Sequence, residues 1–337
     1  MTVWDTLPRP FFVLAPMEAV TDVVFRQVVA RAAPPDLYYS EFTNATGWVH
    51  AGDKAIRGRL VKTDQEHPII AQIWGGEPGD MEALAQHCHS LGFDGIDINM
   101  GCPVKSAVKS GGAALIRQPD LAIAAITAAK TAGLPISVKT RLGYSRVDEW
   151  REWLTLLLQQ DIAALTIHLR TKKEMSKVPA HWELMAEIVA LRDEVAPHTL
   201  LIGNGDVRDR AHGLELVEQY GCDGIMIGRG VFTNPFAFAR GGKWDMQQAK
   251  WDKSQASAVA NPHIAHDKRE LIDLLRYHLD LYDRYSPQTQ RPYDTLKRFF
   301  KIYVRDFDGA GDIRDHLMHT ASTDEARTVL ASMSTVA

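Results

Sequence analysis

Eight short apolar segments rich in β-branched residues recur between residues 11 and 227, and most precede a stretch of helical period. They are Phe11–Ala15, Leu37–Glu41, Pro68–Trp74, Gly95–Asn99, Ile136–Lys139, Ala164–His168, Leu200–Gly203 and Gly224–Ile227. The helical stretches include Asp22–Ala32, Met81–Leu91, Leu121–Ala132, Glu149–Gln160, Trp182–Asp193 and Arg210–Tyr220. Strands alternating with helices make parallel βαβ units, because parallel neighbours need a crossover. Eight such units fit a (β/α)8 TIM barrel, whose usual size is ~250 residues. A doubly wound open sheet is the alternative α/β fold. It gives no reason for the strands to end in polar residues.

Those polar ends are the second constraint. Strand one runs into Ala15-Pro16-Met17-Glu18, and strand three holds Gln72. The next strands end in Asn99, in Lys139-x-Arg141 and in His168-x-Arg170. The last two end in Asn204-Gly205-Asp206 and Gly228-Arg229-Gly230. A barrel gathers all of these on one rim, where its active site lies.

The pattern changes after Arg240. Residues 241–265 hold Trp244 and Trp251 without clear periodicity and read as a linker or insertion after a 1–240 barrel. Residues 266–337 read as a smaller helical domain. Leu271, Leu274, Leu275, Leu279 and Tyr282 recur at helical spacing, and Pro292 suits a second helix start. Beyond it Tyr293, Leu296, Phe299, Phe300, Tyr303 and Phe307 share one face, with Lys297, Arg298, Lys301 and Arg305 opposite. Residues 291–305 carry five Arg or Lys against one acid, in a chain of net charge -4. Such a stripe is either a solvated face or the footprint of a phosphate backbone.

Composition excludes several classes. No run approaches the ~18 apolar residues of a membrane helix, and Met1–Pro10 lacks the features of a secretion signal. Three scattered cysteines, Cys88, Cys102 and Cys222, argue against a disulfide framework and for a reducing cytoplasm. No spacing suggests a metal site. Cys88 and Cys222 read as packing residues. No obligate protein partner is expected, and a monomer is the default.

The rim residues allow more than one chemistry. The turns after strands seven and eight are either tight turns or a phosphate cradle, with Arg229 adding charge. Lys139 suits a Schiff base, a phosphate ligand, a charge beside a flavin ring or an ion pair with Asp97. Gln72 and His168 need polar partners, which a cofactor ring would supply. Cys102 precedes a segment with Lys105, Lys109, Gly111 and Gly112, and no Cys/His base partner lies near it in sequence. An unperturbed thiol is mostly protonated at neutral pH and can donate a proton. A small-molecule flavin reductase, a lyase using Lys139 and a non-catalytic RNA-binding protein all remain open on residues alone.

The chain resembles the tRNA-dihydrouridine synthases. The matching segments are Leu14-Ala15-Pro16-Met17-Glu18-Ala19-Val20-Thr21-Asp22 with Phe25-Arg26, then Gln72, then Gly95-Ile96-Asp97-Ile98-Asn99-Met100-Gly101-Cys102-Pro103 and Gly111 to Leu115. Val138-Lys139-x-Arg141-x-Gly143, His168-x-Arg170-Thr171, Asn204-Gly205-Asp206 and Met226-Ile227-Gly228-Arg229-Gly230 complete the set. Pro-Met-Glu at strand one is most like the bacterial DusC branch. The resemblance implies FMN held by Pro16, Met17, Glu18, Gln72, Lys139, His168, Asn204, Gly205, Asp206, Gly228 and Arg229. It implies NADPH as transient reductant, hydride passing from reduced FMN to uracil C6, and Cys102 protonating C5. It implies Asn99 and Arg141 beside the substrate, and tRNA clamped by Lys297, Arg298, Lys301 and Arg305 on the helical domain. Four features depart from the family pattern, the 241–265 insertion among them. Ala19 stands for the usual glycine, an exchange read as harmless. Leu169 also replaces a glycine, and the loop Lys172 to Ala180 lacks a tyrosine-glycine pair.

Overall fold

In the computed structural model the apolar segments form a parallel sheet that closes on itself. The structure describes residues 1–104, 107, 111–241, 243–245, 250–252 and 268–332, with the backbone alone for 243–245 and 250–252. The strands are β1 Phe11–Leu14, β2 Tyr38–Tyr39, β3 Thr43–Asn44, β4 Ile69–Trp74, β5 Gly95–Asn99, β6 Ile136–Arg141, β7 Ala164–His168, β8 Leu200–Asn204 and β9 Gly224–Ile227. The order is β1-β9-β8-β7-β6-β5-β4-β2, with β3 pairing β4. A parallel bridge between Val13 and Leu37 closes the ring. The expected barrel is therefore present, with its second strand in two short pieces.

The longer helices between strands are α1 Val23–Ala32, α2 Pro78–Ser90, α3 Pro119–Lys130, α4 Trp150–Leu158, α5 Met185–Val195 and α6 Arg210–Tyr220, with two short ones, Ala45–Ala51 and Asp53–Ile56, ahead of β4. Proline sits in the first turn of α2 and α3, where its missing N–H has no helical partner to lose. Asp22 caps α1 by accepting from the Phe25 N–H at 3.0 Å, and Asp209 caps α6 by accepting from His212 at 2.9 Å.

Strand alternation divides the apolar residues into two cores. Phe12, Leu14, Ile96, Ile98, Val138, Leu165 and Ile167 face the helices and join the large outer cluster. Phe11, Val13, Tyr39, Ile70, Ile202 and Met226 face inward, and Trp4 and Leu7 join them from the N-terminal segment.

Beyond the barrel lie α7 Lys268–Thr289, α8 Asp294–Tyr303, α9 Ala310–His319 and α10 Thr323–Ser332. Their apolar faces join the outer cluster around α1. Phe25 of α1 stacks on Phe299 of α8 at 5.0 Å and on Phe232 at 6.0 Å. His278 is buried there, bonded through Nδ1 to the Tyr303 hydroxyl at 2.7 Å, and burial pushes its pKa down to about 3. Within the expected 241–265 linker only Gly241 and two short segments are described. Lys243–Asp245 and Lys250–Asp252 pair as antiparallel strands. The rest of that stretch, with Lys105 and Lys109, lies outside the described residues. No described helix is long and apolar enough to cross a membrane.

Candidate active site

Period two along each strand brings the rim chemistry together. On β5 the inward positions are Asp97 and Asn99. On β6 they are Ser137, Lys139 and Arg141, and on β7 Thr166 and His168. Register sets Gln72 beside Asp97, Asn99 beside Lys139, Arg141 beside His168, and His168 beside Asn204. Gln72, Asn99, Lys139, Arg141, His168 and Asn204, read separately as polar strand ends, thus line one mouth.

A one-way chain of hydrogen bonds anchors the cysteine loop. Asp97 is fully buried and accepts from the Ser137 hydroxyl at 2.7 Å and from Gln72 Nε2 at 2.6 Å. Gln72 must then present Oε1 on its other side, where Asn99 Nδ2 donates to it at 3.0 Å. Asn99 Oδ1 in turn accepts the backbone N–H groups of Gly101 at 3.1 Å and Cys102 at 2.9 Å. Burial raises the Asp97 pKa to about 6, with these hydrogen bonds and Lys139 pulling the other way. Among the described residues Lys139 makes no ion pair with Asp97, and its Nζ turns instead to Asn204 Oδ1.

Arg141 holds the same loop from below. Its Nε donates to the Gly101 carbonyl at 2.7 Å, and its guanidinium reaches the carbonyls of Thr171 at 3.1 Å and Met175 at 2.9 Å. Burial lowers its pKa to about 10, which leaves it charged at neutral pH.

Cys102 is half-buried on the wall of a cleft of about 200 Å³, with Glu18, Asn44, Arg59 and Trp74. Burial pushes its pKa up, against the Val104 backbone N–H and the Arg141 charge. No described side chain accepts a hydrogen bond from the thiol. Burial thus favours the protonated thiol, the form that can give up a proton, over the thiolate of an activated nucleophile.

The opposite side of the mouth is rich in donors. Among the described residues Lys139 Nζ makes one hydrogen bond, to Asn204 Oδ1 at 3.3 Å, and Asn204 Nδ2 donates to the Met226 carbonyl at 2.9 Å. Burial and then Arg141 lower the Lys139 pKa to about 8. Arg170, nearly fully buried, places its guanidinium 3.0 Å from His168 Nε2. An arginine only donates, so Nε2 accepts and the imidazole proton sits on Nδ1. Burial and the surrounding cations hold the His168 pKa well below its ordinary value. The imidazole is thus neutral, with an N–H that meets no described acceptor. Asp206 binds Arg170, Arg229 at 3.0 Å and the Ala180 N–H at 3.0 Å. Gly205 has φ +131°, and a Cβ there would lie 2.7 Å from Ala180. No described protein group accepts from the backbone N–H of Gly205, Asp206, Gly228 or Arg229. Two cations, a neutral imidazole N–H and uncommitted amides fit an anionic, acceptor-rich ligand, as a phosphorylated isoalloxazine is. The Asp206 carboxylate would repel a phosphate. Its place is to aim Arg170 and Arg229.

The dihydrouridine synthase family profile matches residues 13–335. "Probable tRNA-dihydrouridine synthase 2" of Bacillus subtilis is 56% identical over 329 residues, covering 97% of this chain and 95% of that one. "Probable tRNA-dihydrouridine synthase" of Staphylococcus aureus is 51% identical over 329 residues, covering 97% and 94%. The protein of the same name from Staphylococcus epidermidis has the same identity and coverage. This chain belongs to the dihydrouridine synthase family. It is an oxidoreductase of that family.

Other expected residues fall differently in this dihydrouridine synthase. Glu18 lies on the thiol side of the mouth, paired with Arg59. Arg59 and Trp74 line the cleft yet carry no signal in sequence. Arg59 follows two short helices, and Trp74 reads as the end of a core strand. Of the four C-terminal cations, Lys297 pairs with Asp294 at 2.7 Å and lies over Tyr293. Arg298 donates to the Ala19 carbonyl at 3.1 Å. Arg305 lies past the end of α8 and pairs with Asp306 at 3.2 Å. Lys301 is exposed and unpaired among the described residues. Ala19 itself has φ +58°, so alanine there carries left-handed strain, and the exchange from glycine is not neutral. Cys88 and Cys222 are buried, and burial raises both thiols to about 12.

Proposed function

We propose that this chain reduces particular uridines in tRNA to 5,6-dihydrouridine, with bound FMN and NADPH as reductant. The names of the relatives support tRNA as the substrate. FMN, when bound, supplies the hydride that uracil C6 receives. The amides of Gly205, Asp206, Gly228 and Arg229 would hold its phosphate, and Lys139 and the His168 Nδ1–H would donate hydrogen bonds to it. Pro16 and Met17 follow β1 on the same rim, and Glu18 contributes to the substrate side through Arg59. Pro16-Met17-Glu18 also supports placement in the DusC branch.

The observation that carries the reading is the protonated, half-buried thiol of Cys102, anchored through Asn99 beside the donor-rich mouth. Cys102 delivers its proton to uracil C5. The resulting thiolate is favoured by the Val104 N–H and the Arg141 charge. The free amide N–H of Asn99 and the backbone around Arg141 position the pyrimidine. A paired base reaches a barrel mouth only after leaving its stack, so the uridine turns outward. Residues 1–240 carry this chemistry and the helices of 266–337 help to seat the RNA, with Lys301 the cation most available. tRNA is the macromolecular partner, met in the cytoplasm by a monomer.

The deciding experiment compares tRNA nucleosides, by mass spectrometry, from cells with the gene, without it and with Cys102→Ala. Loss of dihydrouridine at one position in both altered strains is expected. An unchanged profile, in cells without a redundant paralogue, would reject the assignment.

A further inference from the structure

A second basic cluster lies on the barrel rim itself, outside the site described above. Tyr144 follows β6, and its ring has the Arg117 guanidinium 3.8 Å from its centroid and Lys172 Nζ at 4.8 Å. Arg117 comes from the loop after β5 and Lys172 from the loop after β7. Two like charges on one ring repel each other unless carboxylates or an incoming anion offset them. Among the described residues neither cation forms an ion pair.

The neighbouring carboxylates are turned away. Glu149 accepts the Tyr144 and Ser145 N–H groups at 2.6 and 3.1 Å. Glu174 is taken by Thr171 and His181. Asp148 pairs with Arg146. The loops that carry the cluster are zipped together, since the Lys172 and Lys173 N–H groups donate to the Gly143 and Tyr144 carbonyls, both at 2.9 Å. Lys173 is exposed beside them.

Position in the ring gives the cluster its meaning. In the strand order β6 stands opposite β1, and β7 opposite β2. The C-terminal helices attach on the β1 and β2 side, where Arg291 bridges Asp22 at 3.1 Å and Glu41 at 2.5 Å. These cations, without ion partners among the described residues although Arg117 donates to the Ser145 hydroxyl at 3.0 Å, therefore sit across the mouth from the helical domain. The same loops reach the thiol, because Arg141 joins the Thr171 and Met175 carbonyls to Gly101.

We infer that Arg117 and Lys172, ordered on Tyr144 and extended by Lys173, form a phosphate-backbone seat for the RNA substrate. The RNA then bridges the mouth between this seat and the helices, with the reactive base over Cys102. The inference rests on the tRNA reading above. It assigns sequence-independent contacts to the barrel, which the basic stripe of the helical domain had suggested for the helices alone.

The test is the salt dependence of binding. An unmodified tRNA transcript is titrated against the flavin-loaded enzyme across a KCl series, for wild type and for R117Q/K172Q. Flavin content and melting temperature check the fold. Each lost phosphate contact lowers the slope of log K against log salt by about 0.7 to 0.9, so the double variant should lose about 1.4 to 1.8. Its kcat/KM should fall more than its kcat. Tyr144→Phe keeps the ring and should keep the wild-type slope. A double variant with wild-type slope and affinity overturns the seat alone. A wild type that binds no tRNA overturns the seat and the functional reading together.

Discussion

Arg298 donates to the carbonyl of Ala19, 279 residues earlier in the chain, at 3.1 Å. The N–H of the same residue donates to Glu41 Oε1 at 2.6 Å. A residue in a left-handed conformation is thus held from both sides, by the helical domain and by the segment after β2. The clamp sits one residue beyond Pro16-Met17-Glu18, so the C-terminal helices set the geometry of a loop on the barrel rim.

Replacing Ala19 by glycine should relieve the left-handed cost. That cost is about 1 to 2 kcal/mol, reduced by the greater backbone entropy glycine loses on folding. A gain of up to about 1 kcal/mol in denaturant unfolding is expected. A loss of stability would show that the methyl group, rather than the backbone, is what the site needs.

The relay from Asp97 to the cysteine loop depends on the direction of each donor. Asp97→Leu would remove the acceptor that fixes Gln72 Nε2, leaving Gln72 free to turn and to release Asn99. Turnover should fall roughly tenfold to a hundredfold, as for a misplaced reacting group. Flavin binding should persist. Asn99→Ala should fall similarly, and the double variant should show less than the product of the two losses.

Cys102→Ala should lose about 10² to 10⁴ in turnover, the usual worth of a general acid, while keeping its flavin. The pH profile carries the sign. The donor must be protonated, and its pKa is raised by burial, so activity should hold through neutral pH and fall only in alkali above the ordinary thiol range. A fall beginning below pH 7 would contradict the assignment.

Lys139 gives a stability test in the flavin-free protein. Its folded pKa is about 8, below the value of about 10.4 for a free lysine. Between those values the unfolded chain holds the proton that the folded chain has lost, so this group makes stability rise with pH across that interval. Lys139→Met should flatten that rise and raise the melting temperature at pH 7. An unchanged pH dependence would mean that Lys139 stays solvated.

The barrel was legible because its strands are buried on both faces and their apolar runs stand out. Most of the mouth was legible for a related reason, as a polar residue ending an apolar strand has few places to go. What sequence hid was long-range pairing. Glu41 ends a predicted strand, yet it is drawn out of the sheet to Arg291, 250 residues away, and β2 stops at Tyr39. A helical projection placed Lys297, Arg298 and Lys301 on one face correctly. It could not show that Arg298 would be taken by a barrel carbonyl and Lys297 by Asp294. Arg305 failed locally, since α8 ends at Tyr303. The upward push on the thiol's pKa was equally invisible, because its largest cause is burial in the folded chain.

The alternation that sorts β5 to β8 into two faces has an evolutionary corollary. A slip of one residue in β6 would turn Ser137, Lys139 and Arg141 toward the helices and carry Val138 and Thr140 into the mouth. Chemistry and packing are written in one reading frame, so neither can drift alone. Insertions and deletions should therefore be confined to the loops. Variation in which RNA is met, and where on it, must accumulate there while the eight strands keep their length.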